Sequence, residues 1–104
     1  MADRDTDRRF GVLEDTRDEV KEPDMYNVVL HNDDYTTKEF VVEILRLVFH
    51  KPVIEATKIM LDVHKRGRGI VGIYTWDIAQ TKANQVHHLA RSREYPLKCT
   101  VEKA

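Results

Sequence analysis

The stretch Tyr26-Asn27-Val28-Val29-Leu30-His31-Asn32-Asp33-Asp34-Tyr35-Thr36 joins a β-strand pattern directly to a turn pattern. Its first six residues are rich in β-branched and aromatic side chains, which favour an extended strand. The Asn-Asp-Asp sequence that follows favours a turn, because these short side chains hydrogen-bond to nearby backbone. Thr36 and Glu39 have the spacing of a capping box, so a helix is predicted to start at about Thr37. A strand that enters a helix through an acidic turn therefore organises the fold.

Two helices are predicted after this turn. Apolar residues of the first recur every three or four positions, which predicts a broad buried side made by Phe40, Val41, Ile44, Leu45, Leu47, Val48 and Phe49. Pro52 suits the first turn of a second helix, where its missing N–H costs little. This helix is predicted to run to about Arg66 and to end at Gly67 or Gly69, since glycine takes the left-handed conformation readily.

The remaining chain predicts a strand, a helix and a strand. Residues 70–74 form an apolar strand pattern, Thr75 or Asp77 can cap the third helix, and residues 97–101 alternate as a final strand. The predicted fold class is α+β. It is a two-layer α/β sandwich in the order β-α-α-β-α-β, with a three-stranded antiparallel sheet and three helices on one face.

Composition narrows the class of protein. The 104 residues are 41% hydrophobic and 34% charged, which suits one small domain. No apolar run approaches the roughly 18 residues of a membrane span, so no membrane association is expected. Cys99 is the single cysteine, which leaves no intrachain disulfide and favours a cytoplasmic location.

Charge divides the chain into two parts. Residues 1–24 hold nine acidic and five basic residues, a net charge of −4, whereas residues 25–104 hold nine acidic and twelve basic residues, a net charge of +3. The first part has too few large apolar residues to offset the entropy lost on ordering. We therefore predict a mobile charged N-terminal arm over residues 1–24 and one folded domain over residues 25–104.

The acidic turn is a candidate binding site. Asn and Asp at the start of a helix often do no more than cap it. Asp33 and Asp34 are adjacent, however, so both cannot cap one helix, and two neighbouring carboxylates are most easily tolerated beside a cation. His64 is a second candidate, because its imidazole can accept from or donate to a ligand and it lies near Met60 and Val63. Methionine suits a pocket that accepts several shapes.

Several segments, in this order and spacing, resemble the ClpS family of bacterial adaptors for the AAA+ protease ClpAP. The resemblance covers residues 25–104 and rests on Val29–Thr36, Glu39–Val42, Ala56–His64, Ala79–Lys82 and Pro96–Lys103. It implies recognition of N-degrons, which are substrates that begin with Phe, Leu, Trp or Tyr, and delivery to the ClpA unfoldase. It implies no enzymatic activity, no cofactor and a monomeric adaptor.

The resemblance also assigns roles to individual residues. The substrate α-amino group is expected to bind Asn32, Asp33, Asp34 and His64. The pocket for the first side chain is expected to use Leu30, Thr36, Lys38, Val41, Leu45, Met60, Val63 and Leu97. Docking on the N-terminal domain of the unfoldase is expected to use Tyr35, Asp77 and Lys82. The chain departs from the family at Thr37-Lys38, where ClpS sequences commonly have Pro-Met. Lys38 is therefore expected to change which sizes of first side chain the pocket rim admits.

Three other functions were weighed. An enzyme would pair His64 with an Asp, but no Ser or Cys nucleophile accompanies them in a recognisable motif. Nucleic-acid binding would use the basic segment Lys65–Arg68, which is short and lacks interleaved aromatic residues. A metal site at His87-His88 is disfavoured, because adjacent helical residues point about 100° apart.

Overall fold

The structure is a computed structural model that describes residues 22–104. The predicted N-terminal arm lies outside the described residues, except for its last three. The described part contains three strands and three helices. The strands are β1 (Met25–His31), β2 (Arg68–Thr75) and β3 (Lys98–Lys103), and the helices are α1 (Lys38–Leu47), α2 (Val53–Arg66) and α3 (Trp76–Ser92). Their order β1-α1-α2-β2-α3-β3 confirms the predicted succession of elements.

The sheet has the strand order β2-β1-β3, with β1 antiparallel to both neighbours. The register between β1 and β2 shifts at Val28/Val29, which is the position of a β-bulge. Val28 and Leu30 point from β1 into the core and are fully buried. They pack with apolar residues of all three helices, among them Ile44, Ala56 and Val86. The predicted α+β sandwich is therefore confirmed.

Helix ends correct one detail of the sequence prediction and decide between two alternatives in another. Thr37, not Thr36, caps α1, because its Oγ1 accepts a hydrogen bond of 3.1 Å from the backbone N–H of Phe40. Gly67, the first of the two proposed glycines, ends α2 with a left-handed φ of 88°. Thr75 precedes α3, but its side chain makes no capping hydrogen bond.

Some predicted buried positions are exposed. Leu47 is 58% exposed, because α1 ends there and the residue lies outside the face that packs on the core. Val53 and Ile78, which are apolar residues at the starts of α2 and α3, are 50% and 49% exposed. Both lie in the first turn of their helix, where fewer neighbours cover them. Over residues 22–104, no helix combines the length and the apolar character needed to cross a bilayer.

Candidate functional site

A cavity of about 460 Å³ lies where the turn between β1 and α1 faces α2. It brings together most of the residues predicted to bind the substrate. Those on its wall are Asn32, Asp33, Asp34, Thr36, Lys38, Val41, Met60, Val63 and His64, and they are joined by Tyr35, Thr37 and Glu39. The site therefore draws its polar groups from one turn and two helices, and its apolar groups from the same two helices.

Asp33 holds the turn together. Its Oδ1 accepts hydrogen bonds from the backbone N–H groups of Tyr35 (2.8 Å) and Thr36 (2.7 Å), and its Oδ2 accepts from the Thr36 hydroxyl (2.8 Å). Partial burial acts to raise the pKa of Asp33, but these hydrogen bonds together outweigh it, so the pKa lies below the usual 3.8. Asp33 is therefore ionised at neutral pH, with most of its hydrogen-bonding capacity used inside the turn.

Asp34 has different surroundings. It is exposed beside the cavity, and within residues 22–104 its carboxylate has neither a hydrogen-bond partner nor an ion-pair partner. A carboxylate without a partner can accept hydrogen bonds from a visiting cation. Of the two acidic residues, Asp34 is the one available to a ligand.

Asn32 directly follows β1 and His64 lies near the end of α2. Two backbone hydrogen bonds connect these two places at the cavity. The N–H of Asn32 donates to the carbonyl of Gly67 (2.8 Å), and the N–H of Gly67 donates to the carbonyl of Val63 (2.9 Å). The end of β1 is thereby tied to the end of α2. Both residues are exposed, and neither side chain has a hydrogen-bond partner in the part of the chain described.

The apolar wall is made by Val41, Val63 and Met60. Val41 and Val63 are 8% and 2% exposed, and Met60 is half-buried. Gly69 lets α2 lie this close to β2, since a Cβ at Gly69 would come within 2.9 Å of Val63 Cγ2. The depth of the cavity thus depends on a strand position without a side chain.

Three residues predicted for the pocket do not lie on its wall. Leu30, Leu45 and Leu97 belong to the core, with exposed fractions of 0%, 0% and 4%. Leu30 faces the helices because alternate residues of a strand share a face, and Leu45 lies on the inward side of α1. They support the wall from beneath instead of reaching the cavity.

Thr37 and Glu39 were missed as wall residues, and Tyr35 was assigned only to docking. The available signal was their position, because the residues around a helix N-terminus surround the exposed end of that helix. Lys38 lies beside them and is exposed, which places an ammonium group at the rim.

The residues predicted for docking on an unfoldase have varied environments. Tyr35 is 77% exposed on the acidic turn, and Asp77 is exposed in the first turn of α3. Lys82 is half-buried. Its Nζ donates to the carbonyl of Val48 (2.8 Å) and lies 5.8 Å and 5.4 Å from the ring centroids of Phe49 and Tyr74. Lys82 therefore connects α3 to the end of α1, independently of any role in docking.

Groups considered for other chemistry have structural partners. His87 Nε2 accepts a hydrogen bond of 3.0 Å from the backbone N–H of Cys99, and burial, followed by the charge of Arg91, lowers the pKa of His87. Burial raises the pKa of the Cys99 thiol to about 12. In the basic segment, Arg68 forms an ion pair with Glu102. Across residues 22–104, no group of three His, Cys, Asp or Glu side chains could hold a metal ion.

The site can bind a ligand that is both cationic and apolar. Polar acceptors of Asn32, Asp34 and His64 lie on the same cavity as the wall of Val41, Met60 and Val63. A primary ammonium group provides three N–H donors, and an apolar side chain beside it could cover the wall. The N-terminal residue of a polypeptide carries both features.

Comparisons with known proteins identify the family. A family model described as "ATP-dependent Clp protease adaptor protein ClpS" matches residues 21–100. An ATP-dependent Clp protease adapter protein ClpS of Syntrophus aciditrophicus is 59% identical over 86 residues, which is 83% of this chain and 80% of the relative. The ClpS of Desulforapulum autotrophicum is 62% identical over 81 residues, 78% of each chain.

A solved structure is also similar. It is that of Agrobacterium tumefaciens ClpS2 bound to L-phenylalaninamide, which is 36% identical and has a TM-score of 0.78, covering 80% of this chain and all of the other. The sequence relatives and the solved structure each cover about four-fifths of the chain. The chain therefore belongs to the ClpS family, the adaptor proteins of the ATP-dependent Clp protease.

Proposed function

We propose that this adaptor binds proteins that begin with Phe, Leu, Trp or Tyr through their free α-amino group and first side chain. The observation that carries the proposal is the pairing, on one cavity of about 460 Å³, of unsatisfied acceptors with an apolar wall. The similar Agrobacterium structure supports it, because phenylalaninamide carries the same two features, an α-amino group and an aromatic side chain.

The hydrogen-bonding capacities match. A free α-amino group has a pKa near 7.7–8.0 and is mostly a cation at neutral pH. Asn32 Oδ1, an Asp34 carboxylate oxygen and a neutral His64 nitrogen supply three acceptors for its three N–H donors. A hydrogen bond to a charged group contributes about 1.5–3 kcal/mol, and burial of a Phe or Leu side chain contributes a similar amount. After the entropic cost of association, these contributions support roughly micromolar binding or better.

Selectivity follows from the same groups. An internal Phe has no ammonium group for the three acceptors, and an N-terminal Ala or Ser has too little apolar area to cover Val41, Met60 and Val63. Lys38 stands at the rim, where its methylene groups can cover the first side chain while its ammonium stays in water. We expect Phe, Leu, Tyr and Trp all to bind. Because of Lys38, the order of their affinities should differ from that of ClpS proteins with Met at this position.

We further propose that the adaptor acts as a cytoplasmic monomer and delivers these substrates to a ClpA-type unfoldase. Tyr35 and Asp77 offer exposed groups for docking on the N-terminal domain of the unfoldase, and Lys82 lies on the same helix as Asp77. The charged residues 1–24 are assigned to engagement of the unfoldase during transfer, since an extended chain of this length could span several tens of ångströms.

The test compares one Phe-initiated peptide with a free and with an acetylated α-amino group. The free peptide is expected to bind in the micromolar range or better, and acetylation to weaken binding by at least about tenfold, because it removes the charge and two donors. Fluorescence anisotropy measures both affinities, and an Ala-initiated peptide serves as the control for the apolar wall. Equal binding of the free and acetylated peptides would overturn the proposal.

A further inference from the structure

Two further hollows extend the cavity along α1. The first, of about 390 Å³, is lined by Lys38, Glu39, Val42 and Met60, three of which also line the cavity of the proposed site. The second, of about 690 Å³, starts at Glu39 and Val42 and continues to Pro52. The three spaces therefore form one path from the acidic turn to the start of α2. We call the part beyond the cavity the α1 groove, defined by Lys38, Glu39, Val42, Arg46, Leu47 and Pro52.

We propose that the α1 groove binds the substrate residues that follow the first one, and that it favours an acidic residue near the fifth position. The inference rests on the proposed function, because the groove is continuous with the cavity assigned to the first residue. An extended peptide whose first side chain contacts Met60 could pass over Lys38 and Glu39 directly into the groove.

The groove has an apolar floor that contacts with a peptide would cover. Val42 is half-buried, and Leu47 is 58% exposed although it lies on a helix whose other large apolar residues are mostly buried. Pro52 continues the apolar surface at the far end. An apolar floor flanked by charged side chains suits a polypeptide, because a polypeptide has both apolar and polar groups.

The charges differ between the two ends. Near the cavity, Lys38 and Glu39 have opposite charges and nearly balance. Further along, Glu43 is paired with Arg93 (3.1 Å) and Lys51 with Glu55 (3.4 Å). Arg46 has no ion-pair partner among the described residues, and it lines the groove. The far end therefore has an unpaired positive charge.

Helix and chain dimensions give the position that Arg46 would contact. Arg46 lies eight positions after Lys38, which corresponds to about 12 Å along a helix. An extended peptide covers about 3.3 Å per residue, so about four of its residues span this length. If the second residue lies beside Lys38, the fifth or sixth lies beside Arg46.

The test uses two hexapeptide amides, Phe-Ala-Ala-Ala-Glu-Glu and Phe-Ala-Ala-Ala-Lys-Lys, together with phenylalaninamide. At low ionic strength, the wild-type protein is expected to bind the acidic hexapeptide at least about threefold more tightly than the basic one, as for an exposed ion pair. Arg46→Glu is expected to abolish or reverse the preference and to leave phenylalaninamide binding unchanged. Lys58→Glu makes the same charge change at an exposed position of α2 that lines none of the three spaces, and is expected to keep the preference.

A second variant tests the floor. Leu47→Ser is expected to weaken binding of both hexapeptides and not of phenylalaninamide. Because Leu47 is exposed, the variant should keep its fold, which thermal unfolding checks. Equal binding of the two hexapeptides by the wild-type protein, with a free α-amino group still required, would overturn the groove and leave the proposed function standing. A preference lost equally in Arg46→Glu and Lys58→Glu would show an effect of net charge, and would also overturn it. Failure of every peptide to bind would remove the proposed function and the groove together.

Discussion

At the scale of single residues, the acidic turn divides two tasks between neighbouring carboxylates. Asp33 accepts three hydrogen bonds from Tyr35 and Thr36 and so fixes the shape of the turn. Asp34, one residue later, is exposed at the cavity without a partner among residues 22–104. Since the first carboxylate holds the second in place, substitution of either should weaken ligand binding, but only substitution of Asp33 should also reduce stability.

Removal of a single acceptor is therefore expected to weaken binding without unfolding the protein. Asp34→Ala and His64→Ala should each weaken a Phe-initiated peptide by at least about tenfold, because one charged hydrogen bond is lost and a donor is left unpaired. Anisotropy titration gives the affinity. Thermal unfolding should change little, since both residues are exposed. Unchanged affinity in either variant would remove that residue from the site.

Replacement of Asp33 is expected to reduce stability in a pH-dependent way. Because the pKa of Asp33 lies below 3.8 in the folded protein, the folded state binds fewer protons than the unfolded state near that pH. The stability that this carboxylate provides is therefore complete above pH 3.8 and is lost as the pH falls through the lower, folded-state pKa. At pH 7, Asp33→Ala should lower the free energy of unfolding by about 1–2 kcal/mol, because the hydrogen bonds from Tyr35 and Thr36 to a charged acceptor are lost.

Denaturant unfolding at pH 7 and at pH 3 measures this difference for the wild-type protein and for Asp33→Ala. The difference in free energy of unfolding between the two proteins should be smaller at pH 3 than at pH 7. Asp34→Ala is the matched control and should show a small gap at both values. A gap for Asp33→Ala that is the same at pH 7 and pH 3 would contradict the role assigned to the ionised carboxylate.

At the scale of elements, α3 and the residues that follow it support α1. Lys82 donates to the carbonyl of Val48, Arg93 pairs with Glu43, and the rings of Phe40 and Tyr95 lie 4.9 Å apart. The end of α3 takes part, because the N–H of Tyr95 donates to the carbonyl of Ala90 (2.9 Å) in a Schellman motif. The position of Tyr95 against α1 therefore depends on how α3 ends.

This helix end carries a strained residue. Glu94 occupies the left-handed position of the motif with a φ of 62°, which a side chain disfavours by about 1–2 kcal/mol. Glu94→Gly is expected to raise the free energy of unfolding by about 0.5–1 kcal/mol, since the gain is partly offset by the larger entropy of glycine in the unfolded chain. Glu94→Ala, which keeps the Cβ, is the control and should not stabilise. Equal effects of the two substitutions on denaturant unfolding would rule out relief of backbone strain.

Apolar spacing was enough to predict the elements and their order, because a buried helix side and a buried strand face repeat with fixed periods. It was not enough to select the cap of α1, since Thr36 and Thr37 both suit that role and the choice depends on Asp33 engaging the Thr36 hydroxyl. Apolar spacing also could not distinguish residues of the cavity wall from residues of the core. Whether Val63 or Leu30 meets the cavity depends on how closely α2 packs on β2, where Gly69 leaves room for Val63, and apolar spacing does not give that distance.

At the scale of the whole molecule, the wall of the site, within the part of the chain that the structure describes, is made by the β1–α1 turn, α1 and α2. The two parts also differ in charge, with −4 on residues 1–24 and +3 on the remainder. Binding and delivery should therefore be separable by truncation.

Deletion of residues 1–22 is expected to leave the affinity for a Phe-initiated peptide within about twofold, because every residue assigned to the α-amino group and to the first side chain comes later in the chain. The same deletion is expected to abolish degradation of a Phe-initiated fluorescent substrate by the unfoldase and its peptidase. Replacement of residues 1–22 by a Gly-Ser segment of equal length separates the roles of length and composition: restored delivery would assign the function to reach, and absent delivery to the charged sequence. Full delivery by the truncated adaptor would contradict any role of this segment in transfer.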